Sequence, residues 1–175
     1  WASQPLPISA SAWIGKESQG HLFIRLAGAN AAVEAATKKL QQEIHGTEMT
    51  PTQALSFWAS LREQEHSFFQ LAAGQSLWRF AVNPMSGPID LPGETCLEWL
   101  GGQRWVKSSM TTSEAHALAA KHGGHATQFK GDRVAGTSVF TSLLDNPLTA
   151  PLNAVQKQLR AAFDPDGIFQ TGRMP

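Results

Sequence analysis

The sequence predicts an α+β domain, an antiparallel sheet with helices packed on one face and ferredoxin-like elements within it. Three observations predict it. Short runs with period-two alternation are joined as hairpins, capped amphipathic helices are interspersed among them, and the two kinds do not alternate strictly as a parallel sheet would require. A length of 175 residues suits a single apolar core, and no repeat, low-complexity tract or linker divides it.

The elements follow in order. Residues 6–14 and 21–26 read as two strands around a polar turn, and Leu22, Ile24 and Leu26 fall on one face of the second. Asn30 is placed to cap a helix whose stripe is Val33, Ala36, Thr37, Leu40 and Ile44, with Gly46 ending it beside His45. Thr50-Pro51-Thr52-Gln53 is a capping box with proline at the first helical position, and Leu55, Trp58 and Leu61 are the stripe of the helix it opens. Residues 77–82 form a strand with Trp78, Phe80 and Val82 on one face and Leu77, Arg79 and Ala81 on the other.

Asn83-Pro84 and Ser86-Gly87-Pro88 break that strand into a loop. Residues 96–100 and 104–107 read as a hairpin through Gly101-Gly102. Thr111 and Glu114 make a second capping box, opening a helix that Gly123 closes, and residues 125–129 are the last strand. Residues 131–146 read as loop. A final amphipathic helix over 151–163 carries Leu152, Val155, Leu159 and Phe163, and Pro165 stops it.

Composition narrows the function. Lys+Arg and Asp+Glu number 14 each, and with no long basic run this argues against a nucleic-acid binder that neutralises phosphates. Charged residues are 16%, below the roughly 25% usual for soluble domains, so part of the surface is expected to be covered by a partner. The single cysteine, Cys96, excludes an internal disulfide, an iron–sulfur cluster and a cysteine-based zinc site, and fits a reducing compartment. No run approaches the roughly 18 apolar residues of a transmembrane helix. The chain opens on Trp1, and its first methionine is Met49, which reads as a piece of a longer polypeptide.

Most chemical motifs are absent. Ala27-Gly28-Ala29-Asn30 lacks the further glycines of a dinucleotide fingerprint, and no Gly-x-Ser-x-Gly elbow occurs. His116, His122 and His125 do not match a helical ligand pair, so no metal site is expected. Two arginines stand beside apolar stripes, Arg62 at a helix end and Arg79 inside a strand. A guanidinium so placed grips planar carboxylates, but it equally serves as a structural partner for Glu63, Glu65 or Glu98, or as a snorkelling surface side chain.

The tail Phe163-Asp164-Pro165-Asp166-Gly167-Ile168-Phe169-Gln170-Thr171-Gly172-Arg173-Met174 resembles the ending of FAD-linked oxidases of the vanillyl-alcohol-oxidase type. Further segments resemble the E subunits of bacterial glycolate oxidases. They are residues 4–9, Phe57-Trp58-Ala59-Ser60-Leu61-Arg62-Glu63-Gln64, Leu77-Trp78-Arg79, Asp90-Leu91-Pro92-Gly93-Glu94, residues 104–108 and Gly123-Gly124-His125-Ala126-Thr127.

The resemblance implies that residues 1–175 are a single C-terminal cap domain of a longer subunit, whose N-terminal domain binds FAD. It implies as partners that FAD-binding domain, a related D subunit and an iron–sulfur F subunit, in a complex that oxidises glycolate to glyoxylate. The implied location is cytoplasmic, peripheral at the inner membrane through the complex. The resemblance implies Arg62 and His125 on the substrate side, to which the reading of the strand adds Arg79, and Gln170, Gly172 and Arg173 on the cofactor side. Departures matter too. His125 takes the place of the family's first metal-binding histidine, but no second histidine follows, and no Glu-His-Gly occurs downstream to supply a base. An α+β module that binds a small ligand or another subunit without catalysis is the alternative.

Overall fold

In the computed structural model, residues 1, 3–16, 19–131 and 150–168 are described. Six strands, β1 (Ile8–Lys16), β2 (Gln19–Leu26), β3 (Ser76–Ala81), β4 (Glu94–Glu98), β5 (Gln103–Ser108) and β6 (His125–Lys130), form one sheet in the order β2-β1-β4-β5-β3-β6. Every neighbouring pair is antiparallel. The helices are α1 (Asn30–Ile44), α2 (Pro51–Arg62), α3 (Thr112–Lys121) and α4 (Ala150–Phe163). The expected α+β class is therefore what the chain adopts.

The central strands are apolar on both faces, and this decides where the helices go. On one face Trp78, Phe80 and Val106 pack with Ala115 and Ala119 of α3. On the other, Leu77, Cys96 and Trp105 pack with Leu61 of α2 and with Phe68 and Phe69, which lie in a short 3-10 turn. Leu77 and Trp78 are sequence neighbours buried on opposite sides, so β3 must be covered twice. The helices accordingly divide between the faces, which corrects the expectation that they pack on one: a central strand apolar on both sides needs cover on both.

Both capping boxes form as the sequence predicts. The Thr50 hydroxyl accepts from the Gln53 N–H while Gln53 Oε1 accepts from the Thr50 N–H at 3.0 Å, and Thr111 and Glu114 repeat the arrangement. Glu114 is thereby held below the usual carboxylate range, by its bonds from the Thr111 backbone and hydroxyl.

Four local expectations are corrected. Phe23, rather than Leu22, turns inward on β2. Its register opposite Ala12 brings its ring 4.1 Å from that of Phe57 in α2, and leaves Leu22 49% exposed on an edge strand. Asn30 is the first helical residue, and the N-cap is Ala29 without a side-chain bond. His45, not Gly46, takes the left-handed position at φ 51° that ends α1. Leu55 is 70% exposed because α2 packs through Phe57, Trp58 and Leu61, which turns Leu55 away from the sheet.

Val155, Leu159 and Phe163 of α4 are exposed, as is Ile168 beyond it. The loop expected over 131–146 lies, after Gly131, outside the described residues, as do Gln170, Gly172 and Arg173.

Candidate functional site

A cleft of about 900 Å³ opens on the α2 face of the sheet. Glu98, Gln103 and Trp105 line it from the sheet, Trp58, Leu61 and Arg62 from α2, and Trp99 and Leu100 from the β4–β5 turn. That turn is unusual. Trp99, Leu100 and Gly101 are successive left-handed residues, with φ of 52°, 54° and 91°. Only the glycine adopts such a conformation freely, and each of the other two costs about 1 kcal/mol or more. The conformation leaves Trp99 67% and Leu100 58% exposed at the cleft.

A polar chain crosses the sheet beneath it. Glu98 Oε2 accepts from Trp105 Nε1 at 2.7 Å and from Gln103 Nε2 at 3.1 Å. Gln103 Oε1 accepts from Arg79 Nε at 2.8 Å. A carboxylate only accepts, so it draws the amide nitrogen of Gln103 toward itself and leaves the amide oxygen for the arginine. The Arg79 guanidinium also lies 5.7 Å from the Trp99 ring centroid. Among the described residues, no acceptor meets its two terminal nitrogens.

His125 stands on the same face. β6 pairs with β3 so that Thr127 faces Arg79 and His125 faces Ala81, one step along. Gly124 permits this approach, because a Cβ there would run into the Ala81 carbonyl. Although exposed by surface area, the imidazole is crowded enough that lost solvation, and then the Arg79 charge, hold it below the ordinary histidine value. At neutral pH it is uncharged.

Arg62 is placed differently. It lines the cleft at the end of α2, its side chain is 76% exposed, and its Nε meets Glu63 Oε1 at 2.6 Å. It is thus not held against apolar surface, and its immediate partner is one of the carboxylates that sequence offered. The structure brings Arg79 and His125 together on adjacent strands and sets Arg62 on the helical side of the cleft.

Sequence reasoning missed Gln103 as a site residue and treated Glu98 only as a possible ion-pair partner. The signal was available in the alternation of Gln103, Trp105 and Lys107, which share the face of Arg79 once the strands are paired. The pairing itself was not legible.

Other reactive groups are occupied or enclosed. Burial, with help from Glu98 and Glu94, pushes the Cys96 thiol well above its usual value, so it is not a nucleophile. His116 is a residue of α3 that turns toward the sheet, with its ring edge-on to Trp78 at 6.4 Å, and burial holds it below the ordinary histidine value despite a bond to the Ala126 backbone. Among the described residues, no three His, Cys, Asp or Glu side chains converge on a point that could hold a metal ion.

In chemical terms the α2 face offers, beside the Trp99 rim of the cleft, a guanidinium fixed along one edge whose terminal nitrogens meet no acceptor among the described residues, with an imidazole on the next strand. The cleft's own lining carries Arg25 and Arg62 rather than Arg79 or His125. A small carboxylate suits such donors. No helix among the described residues is long and apolar enough to cross a membrane. No protein-family model matches the chain, and no solved structure does. One curated relative does, and this chain spans less than half of that protein's length. The resemblance drawn from the tail and the internal segments is thereby shown: over 174 residues, 99% of this chain and 43% of the relative, the sequence is 38% identical to glycolate oxidase subunit GlcE of Escherichia coli (strain K12).

Proposed function

We propose that this chain is the C-terminal cap domain of a flavoprotein subunit of the glycolate-oxidase kind, and that its α2 face, where Arg79 lies beside the Trp99 rim of the cleft, takes the carboxylate of a small 2-hydroxy acid. The observation that carries this reading is Arg79. A half-buried cation with one edge clamped and two terminal nitrogens open is costly to maintain unless an anion completes it. The similarity to GlcE supplies the chemical class of that anion.

FAD fits this domain only in part. The exposed Trp99 and Leu100 rim suits the cover of a planar ring, but the described residues offer no glycine-rich cradle for a diphosphate. In this reading another domain of the same subunit grips the coenzyme, and Gln170, Gly172 and Arg173 approach it from the tail. Bound FAD would accept the hydride equivalent that leaves the 2-carbon.

The chain's own contribution is binding. Arg79 holds the carboxylate, Arg62 adds positive charge at the cleft wall, and neutral His125 accepts a hydrogen bond from the hydroxyl. An imidazole whose pKa is pushed further below neutrality is a weak base, so His125 orients that proton rather than removing it. The proton would then be taken by a group elsewhere, and the D subunit of the complex is its proposed source, with the F subunit carrying electrons onward. The assembly would be cytoplasmic and peripheral to the inner membrane.

The test is kinetic. In the assembled oxidase, Arg79→Met is expected to raise the KM for glycolate by about 30-fold, the scale of losing a partly solvated charge-assisted pair. An unchanged KM would sink the reading. The isolated domain, titrated with FAD, is expected to show no tight stoichiometric quenching of flavin fluorescence.

A further inference from the structure

We propose that Gln103 is a positioning residue for Arg79, a neutral amide that fixes the guanidinium and keeps Glu98 from neutralising it. The inference rests on the anion-binding reading of Arg79 and explains how that arginine stays available.

The strand order carries the argument. Glu98 is on β4 and Arg79 on β3, with β5 between them, and all three side chains project from one face. Two strand spacings and an offset of two residues put their Cα atoms roughly 12 Å apart, within reach of a direct ion pair for two long side chains. No such pair forms, and Arg79 makes no ion pair with any described residue. The space is taken instead by Gln103, which pairs directly with Glu98 across β4–β5 and sits diagonally to Arg79.

Each end of that amide is determined. Glu98 accepts from Gln103 Nε2, so Oε1 faces Arg79 and takes the single Nε–H. Trp105 Nε1 holds the same carboxylate oxygen from a second direction, which draws Glu98 away from the arginine. Gln103 is 6% exposed, so water does not compete for either bond, and the Trp99 ring limits movement of the guanidinium. A carboxylate in place of this amide would pair with Arg79 directly and satisfy donors that the anion needs. A neutral amide orients the cation and leaves its charge unspent.

The experiment measures glycolate KM and kcat on the assembled oxidase, with thermal unfolding of each variant as a control for folding. Gln103→Glu is nearly isosteric and converts the spacer into a counter-ion. We expect KM to rise by at least ~10-fold with kcat within ~3-fold, as for loss of ground-state anion binding. The double variant Glu98→Gln with Gln103→Glu keeps the number of charges and moves one of them beside Arg79. It is expected to raise KM as much as the single change, whereas a purely structural role, or an effect of added net charge, predicts recovery toward the parent value.

Arg79→Met separates the two claims. If it raises KM while Gln103→Glu and the double variant leave KM alone, the positioning role is wrong and the anion site stands. If Arg79→Met itself leaves KM unchanged, both fall together.

Discussion

The two faces of this sheet treat the same residue type in opposite ways. On the α3 face, Arg104 of β5 is 4% exposed and its donors go into the scaffold. Its Nε donates to the Gly101 carbonyl at 2.9 Å, one terminal nitrogen donates to the Gly87 carbonyl at 2.7 Å, and the other meets Ser86 Oγ at 3.3 Å. On the α2 face, Arg79 of β3 is clamped along one edge, and among the described residues no acceptor meets the other. The first arginine ties the loop after β3 to the β4–β5 turn. The second lies behind Trp99 and Gln103, which line the cleft. A guanidinium is a structural rivet when neighbouring backbone carbonyls surround it; in the reading proposed above, it is a ligand site when the neighbours satisfy only its Nε.

The largest expected effect tests that contrast directly. Arg104→Met removes donors from two carbonyls and a hydroxyl in a buried place, and should destabilise the fold by about 3 kcal/mol in chemical denaturation. Arg79→Met should cost less than about 1 kcal/mol in the same assay, because only one bond is lost at a half-buried site. Equal losses would erase the distinction between the faces.

The next effect is in packing. Ala115 and Ala119 are 0% exposed where α3 meets the sheet, so the closed face has no room for extra methyl groups. Ala119→Leu should destabilise by about 2 kcal/mol. Leu55→Ala on the open face removes a side chain that is already 70% exposed, and should change stability by less than about 0.5 kcal/mol. Denaturant midpoints with unchanged slopes would establish both.

Much of this was legible in the sequence where the rule is local. Thr50 with Gln53 and Thr111 with Glu114 announce their helix starts, because a capping box is complete within four residues. The split of Trp78 and Phe80 from Leu77 and Arg79 follows from strand geometry alone. Part of what failed needed a partner strand. Leu22 and Phe23 are adjacent, and only the pairing of Ala12 with Phe23 decides which turns inward. The site fails for the same reason: Gln103 lies 24 residues from Arg79, and no spacing rule joins them before β3 and β5 are side by side.

Acidification gives a smaller effect to which both faces contribute. Burial lowers the pKa of His116 on the α3 side, and likewise of His66 and His125 on the α2 side. Below their ordinary value near 6.5 these groups take up protons more readily unfolded than folded. Stability from this source is therefore complete above about pH 6.5 and falls progressively as pH drops toward the folded-state values. His116→Phe should flatten the dependence of unfolding free energy on pH between 6.5 and 5. An unchanged slope would show that His116 protonates as freely in the folded protein as outside it.

The smallest expected effect concerns a feature that the two faces share. The boxes at Thr50 and Thr111 have the same geometry, each hydroxyl accepting an N–H at 3.3 Å and each third residue bonding back. Each cap should be worth about 1 kcal/mol, so Thr111→Ala and Thr50→Ala should cost similar amounts in equilibrium unfolding. Their consequences should nonetheless part. α3 sits on buried alanines, and in the proposed reading fraying its first turn should leave the glycolate KM of the assembled oxidase unchanged. α2 ends at Arg62 and walls the cleft through Trp58 and Leu61, so loosening its start should raise that KM by roughly 2-fold, within the range of a small positional shift. If both substitutions leave KM untouched, α2 is scaffold in the same sense as α3, and the open face owes its function to the strands alone.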